Sequence, residues 1–128
     1  MKKILSLLLL QMICMGALIA QPAGRQRIDE STLPGKRGEL NVRNSMYPRL
    51  LPDNRMVFKV KAPDAKTVQI DLGRKYDLVR NAEGEWTGTT DPLTPGFHYY
   101  SLIIDGVSVA DPASESFYGS GRMSSGVE

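Results

Sequence analysis

The sequence holds one cysteine, one histidine and one tryptophan in 128 residues. A lone thiol closes no intrachain disulfide, and Cys14 lies in an apolar N-terminal stretch rather than in the body of the chain. Zinc sites built from Cys and several His are excluded by composition. His98 is the one imidazole on which a Ser-His-Asp triad could stand, and it falls inside an expected strand, where a packing or surface role is the plainer reading. There is no Gly-x-Ser-x-Gly elbow, and Gly119-Ser120-Gly121 lacks that spacing. A phosphate-binding glycine loop is missing too. The acids Asp64, Asp71, Glu83, Glu85, Asp91 and Asp105 fall mostly in turns or on solvent faces, a poor setting for a glycosidase acid pair. The chain therefore reads as non-catalytic, with no metal and no cofactor.

Only one long hydrophobic run is present. Ile4 to Ile19 is apolar apart from Ser6, Gln11 and Gly16; Lys2 and Lys3 precede it, and Ala20 offers a small residue before Gln21. That is the pattern of a secretory signal peptide over residues 1–20. The run is short for a span of about 20 residues, and no basic cluster follows it directly. Met12 and Ile13 ahead of Cys14 do not suit a lipoprotein site. Export to the periplasm, outer surface or medium is expected, with no membrane contact after cleavage. Cleavage removes two of the 16 basic residues and none of the 14 acidic ones, leaving 14 of each. The basic character thus belongs to the signal and gives no reason to expect nucleic-acid binding.

Gln21 to Asn54 has no sustained period and holds Pro22, Pro34, Pro48 and Pro52, so residues 21–54 read as an irregular leader, flexible to about Leu40. Beyond it the chain alternates. Met56, Phe58 and Val60 alternate with Val57, Lys59 and Lys61; Val68, Ile70 and Leu72 alternate with Gln69 and Asp71. Tyr76–Val79 and Glu85–Thr90 read as further strands. Asp105-Gly106 between two β-rich runs is a hairpin signal, and Asp111-Pro112 ends its second arm. From Ala113 to Gly126 the chain is polar and glycine-rich, and a last strand starting at Val127 looks cut short at Glu128. Short strands every ten residues or so, with no helical period, predict an all-β sandwich of about seven strands over residues 55–128.

Aromatic side chains are the remaining chemical feature. A sugar ring stacks its apolar face on a flat aromatic group, and its hydroxyls need polar partners at the rim. Tyr99, Tyr100, Phe97, Tyr76, Tyr118 and Trp86 are the candidate platforms. If Tyr100, Leu102 and Ile104 form the core face of the first hairpin arm, alternation leaves Tyr99 and Ser101 on the exposed face. Trp86 faces the hairpin and leans to the core.

Residues 55–128 resemble the N-terminal early-set domain found ahead of exported Bacteroides-type feruloyl or acetyl-xylan esterases of carbohydrate esterase family 1. The resemblance lies in Val57-Phe58-Lys59-Val60-Lys61-Ala62-Pro63-Asp64-Ala65, Glu83-Gly84-Glu85-Trp86-Thr87, Gly96-Phe97-His98-Tyr99-Tyr100 and Ile104-Asp105-Gly106 through Asp111-Pro112-Ala113-Ser114. Phe117-Tyr118-Gly119 and Arg122 through Glu128 continue it. The same stretch is similar to family-48 carbohydrate-binding modules. The resemblance implies an immunoglobulin-like sandwich beside a C-terminal esterase domain, with a polysaccharide as partner. Glycogen-binding relatives carry Lys and Trp where Ser101 and Ser108 stand here, and only Tyr76 could replace their other Trp. The resemblance therefore implies a xylan-type ligand, or none, ahead of an α-glucan, which stays open as a partner, with Tyr99, Ser101, Arg74, Tyr76 and Trp86 as candidate contacts. The competing expectation is a structural spacer that packs on an esterase domain and binds no sugar. A third is a fragment that carries an esterase or glycoside-hydrolase label only through its parent.

Overall fold

A computed structural model describes residues 28–119 and 121–128. The expected signal peptide, residues 1–20, lies outside the described residues. After a 3-10 turn at Glu30–Thr32, eleven short strands follow. They are β1 Lys36–Arg37, β2 Arg49–Leu50, β3 Met56–Lys61, β4 Val68–Asp71, β5 Lys75–Asp77 and β6 Val79–Arg80. Then come β7 Glu85–Thr89, β8 His98–Ile104, β9 Val107–Val109, β10 Ser116–Gly119 and β11 Arg122–Val127. They form two antiparallel sheets. The first runs β1-β2-β3-β7-β6; the second runs β10-β11-β8-β4-β5, with β9 added to β8.

The alternating residues explain how the sheets meet. Met56 and Phe58 of β3 and Trp86 of β7 point from the first sheet into the core. Val68 and Ile70 of β4, Tyr100 and Leu102 of β8 and Val127 of β11 point into it from the second. The Phe58 and Tyr100 rings meet edge to face at 5.0 Å, joining the sheets at the centre. Trp86 is buried, and its indole N–H donates to the Ala62 carbonyl at 2.8 Å.

The hairpin forms as the sequence predicts. Asp105 and Gly106 both take positive φ, 48° and 85°, the geometry of a two-residue turn whose twist matches its strands. Asp105 Oδ1 also accepts from the backbone N–H groups of Lys66 and Thr67, at 2.7 and 2.9 Å. The turn is thereby tied to the loop before β4.

Three expectations are corrected. The stretch Tyr76–Val79 is not one strand. It breaks at buried Leu78, whose N–H donates to the Val68 carbonyl, and the chain passes there from the second sheet to the first. The leader is not irregular through Asn54: β1 and β2 extend the first sheet beside β3. Its middle also joins the domain. Val42 N–H donates to the Ala113 carbonyl at 3.0 Å, and Glu115 N–H donates to the Leu40 carbonyl at 2.8 Å. Arg49 fixes the segment from within: its buried guanidinium donates to the carbonyls of Pro34 and Gly35 at 2.7 and 2.8 Å. Finally, the last strand is not a one-step stub. β11 is six residues long and pairs with β10 on one side and β8 on the other.

β11 and β9 share one edge of β8. β11 covers His98 to Tyr100 and β9 covers Leu102 to Ile104. Where they part, Asp111 fills the fork. Its Oδ2 accepts from the Tyr100 hydroxyl at 2.8 Å and its Oδ1 from Ala113 N–H at 2.8 Å. Ser125 Oγ accepts from Asp111 N–H, and Ser114 Oγ donates to the Gly126 carbonyl. A buried polar knot of this kind holds its place because every member is satisfied.

Candidate functional site

The outer face of the second sheet carries the residues best placed for binding. Registry settles which ones share it. Tyr99 stands opposite Gly126, and Ser101 opposite Asp71, so all four lie on the face away from the core. Phe117, opposite Ser124, joins them.

Glycine makes room for the aromatic cluster. A Cβ on Gly126 would lie 2.6 Å from Phe97 Cε2 and 2.9 Å from Phe117 Cε2. A Cβ on Gly119 would lie 2.6 Å from Tyr99 Cζ. The rings therefore lie down on bare backbone, a known way of shielding glycine in a sheet. Phe97 meets Tyr99 edge to face at 4.8 Å and Phe117 at 5.1 Å. Tyr99 stays 46% exposed, so the cluster leaves an accessible ring at its rim.

Beside Tyr99 lies a hollow of about 200 Å³. Asp71, Gly73, Ser101, Arg122 and Ser124 line it with Tyr99. Ser101 and Ser124 are 2% and 4% exposed, and neither hydroxyl has a hydrogen-bond partner among the described residues. Asp71 and Arg122 make no ion pair among the described residues. Among the described residues the sealed side-chain polar atoms without a partner are Arg37 Nε and Asn41 Oδ1, so the Ser101 and Ser124 hydroxyls are not sealed off and can hydrogen-bond an incoming polar group from the floor of the hollow.

The predicted contact residues do not come together as one set. Tyr99 and Ser101 share the hollow, but Ser101 is its buried floor and not part of a bare face. The reason is its short side chain, set between Asp71 and its larger neighbours. Tyr76 pairs with Ile70 and so lies on the opposite, core-facing side at the sheet edge. The Arg74 guanidinium covers its ring at 4.8 Å and pairs with Asp91 at 2.6 Å, so both are engaged elsewhere. Trp86 is core. Sequence reading passed over Arg122 and Ser124, which lie in a polar stretch with no visible period, and treated Asp71 as a solvent-face acid. Among the described residues no cluster of three or more His, Cys, Asp or Glu could hold a metal ion.

A second depression, about 140 Å³, opens where Leu50, Met56, Leu93, His98 and Val127 meet. Its lining is mostly apolar. His98 Nε2 is hydrogen-bonded to the Thr94 carbonyl at 2.7 Å.

Against known proteins, 94 residues of the chain are 43% identical to an endo-1,4-beta-xylanase/feruloyl esterase of Xylanibacter ruminicola. The chain is homologous to a segment of that enzyme. The match takes in 70% of this chain but only 13% of the relative. Whatever else the xylanase/feruloyl esterase carries lies in the other seven-eighths of its length, and the chain is comparable to one small part of it. No protein-family model matches. Among solved structures, ligand-free PulA from Klebsiella pneumoniae is 20% identical and covers 77% of this chain and 10% of its own, with a TM-score of 0.45.

Proposed function

We propose that this chain is a non-catalytic carbohydrate-binding or positioning module of an exported, xylan-active esterase. The observation that carries the proposal is the accessible Tyr99 ring beside a hollow whose hydroxyls and charges have no partner among the described residues. An aromatic face next to a polar rim is what a sugar ring needs, since one side of the ring is apolar and its edge is all hydroxyl. The xylanase/feruloyl esterase relative supports a xylan-type substrate and a parent protein with an esterase domain, and the signal-peptide pattern of residues 1–20 supports export. Xylan is preferred to an α-glucan because Ser101 and Ser108 stand where glycogen-binding modules use Lys and Trp.

The test is affinity electrophoresis in gels containing xylan, starch or glycogen. Xylan is expected to retard the chain most. An aromatic stacking contact is worth about 0.5–1.5 kcal/mol beyond area, so Tyr99→Ala should weaken retardation several-fold with the fold intact. Retardation that Tyr99→Ala leaves unchanged would move the site away from this face.

The second reading is a spacer that packs on a neighbouring domain. It is favoured by Tyr118 and Met123, a cross-strand apolar pair on the β10–β11 hairpin that stands in solvent, Tyr118 74% exposed. A chain that no polysaccharide retards, yet that stabilises the esterase domain in the full protein, would favour it.

A further inference from the structure

We infer that the hollow beside Tyr99 selects sugar rings whose hydroxyls are free and rejects rings acylated at the oxygens it contacts. This rests on the carbohydrate-binding reading above and adds the chemical state of the ligand.

The argument turns on which groups can tolerate an ester. Ser101 and Ser124 hydroxyls donate or accept, so either adapts to a hydroxyl or to an ester oxygen. Arg122 only donates, and an acylated oxygen still accepts. Asp71 is different. Its carboxylate only accepts, and it has no ion-pair or hydrogen-bond partner among the described residues. Gln69, two residues earlier on the same face, spends its side-chain amide on Asp77 at 2.7 Å.

A ring lying on Tyr99 and over Ser101 displaces water from Asp71. With free hydroxyls, the carboxylate exchanges those waters for one or two O–H donors. With acylated oxygens it loses water and gains no O–H donor from the sugar, leaving the covered charge short of the hydrogen bonds it had in water. That imbalance is how a site built around a polar group rejects an analogue that lacks the complementary one. At about 200 Å³ the hollow is open to solvent and holds about one ring.

In a parent that removes esters, such a module would hold the enzyme on stretches already cleared, next to those still esterified.

The experiment is an NMR titration of the chain with acetylated xylo-oligosaccharides and with the same material after mild alkaline deacetylation. Tighter binding of the deacetylated sugar, by about tenfold for one lost charged hydrogen bond, is expected, with amide shifts at Ser101 and Ser124. Asp71→Asn keeps the shape and adds an N–H that an ester carbonyl can accept, so it should bring the two sugars to similar affinity. Equal binding of both sugars by the unaltered chain overturns this inference and leaves the carbohydrate-binding reading standing. A preference that survives Asp71→Asn also overturns it. Binding of neither sugar overturns both.

Discussion

Asp111 is the residue on which the second sheet's edge turns, and its environment makes its ionisation costly. Burial pushes its carboxyl above the ordinary value of 3.8, although Ala113 N–H and the Tyr100 hydroxyl both pull it back. The same burial, and then the Asp111 charge, push the Tyr100 hydroxyl up. A carboxyl raised in the fold favours the folded state when protonated. That contribution is complete below 3.8 and is lost as pH rises through the raised value. Asp105 works in the opposite sense. The Thr67 and Lys66 N–H groups lower it, so its contribution is present at neutral pH and is lost on acidification. Comparing two variants cancels Asp105 and isolates Asp111. Asp111→Asn retains an oxygen for Ala113 N–H and presents an N–H to the Tyr100 oxygen, with no charge to bury. Its stability relative to the unaltered chain should therefore improve between about pH 3 and about pH 7. Denaturant midpoints at both pH values check this. A flat difference would show that the fold leaves the ionisation of Asp111 as it is in the unfolded chain, and one that runs the other way that the fold favours its charged form.

At the scale of elements, what could be read from the sequence depended on whether a strand declares its period. β3, β4 and β8 alternate over four to seven residues, and the Asp105-Gly106 turn names its own geometry, so these were legible. β1 and β2 are two residues each, too short to show any period. β11 sets Ser125 on the core face where Val or Leu would normally stand and covers Ser124 and Gly126 on the outer face, so it resembles linker. The site was half legible for the same reason. Alternation along β8 placed Tyr99 outside once Tyr100, Leu102 and Ile104 were inside. Arg122 and Ser124 belong to β11 and shared its disguise. Arg49 is the sharpest case, since a lone arginine among prolines reads as surface yet is almost fully buried. Its fork serves two carbonyls that no other side chain among the described residues reaches, those of Pro34 and Gly35. An orphaned buried acceptor costs about 1–3 kcal/mol, so Arg49→Met should lower stability by about 3 kcal/mol. Arg49→Lys should recover only part of it, because an ammonium cannot reproduce the planar fork. Urea melts of the three chains decide the matter; an Arg49→Met chain as stable as its parent would mean that water satisfies both carbonyls.

For the whole molecule, the question is where the folding unit starts. Composition puts the boundary at Arg55, because everything before it looks like linker. The structure places the boundary earlier, through three kinds of contact. β2 pairs with β3 at Arg49–Val57 and Leu50–Met56. Leu50 packs against the core cluster. Leu40 and Val42 bond to Glu115 and Ala113, in the corner that also holds Asp111 and Ser114, so the segment ties one edge of the first sheet to the polar knot of the second. A chain that begins at Arg55 would expose the β3 edge, uncover Met56 and leave the Ala113 carbonyl and Glu115 N–H to water. One apolar side chain of this size contributes about 1.5–3 kcal/mol by its burial, and each backbone bond about 0.5–1.5 kcal/mol net. Their joint loss is a large fraction of a domain total of about 5–15 kcal/mol. We expect the chain starting at Arg55 to melt at markedly lower denaturant than one starting at Ile28. Its transition should also have a smaller slope, because less surface is buried in its folded state. The exposed β3 edge should add a tendency to associate that grows with concentration. Paired denaturant melts, with sedimentation of both chains at matched concentrations, measure all three. Coincident midpoints and slopes would put the boundary back at Arg55 and make the first two strands an appendage.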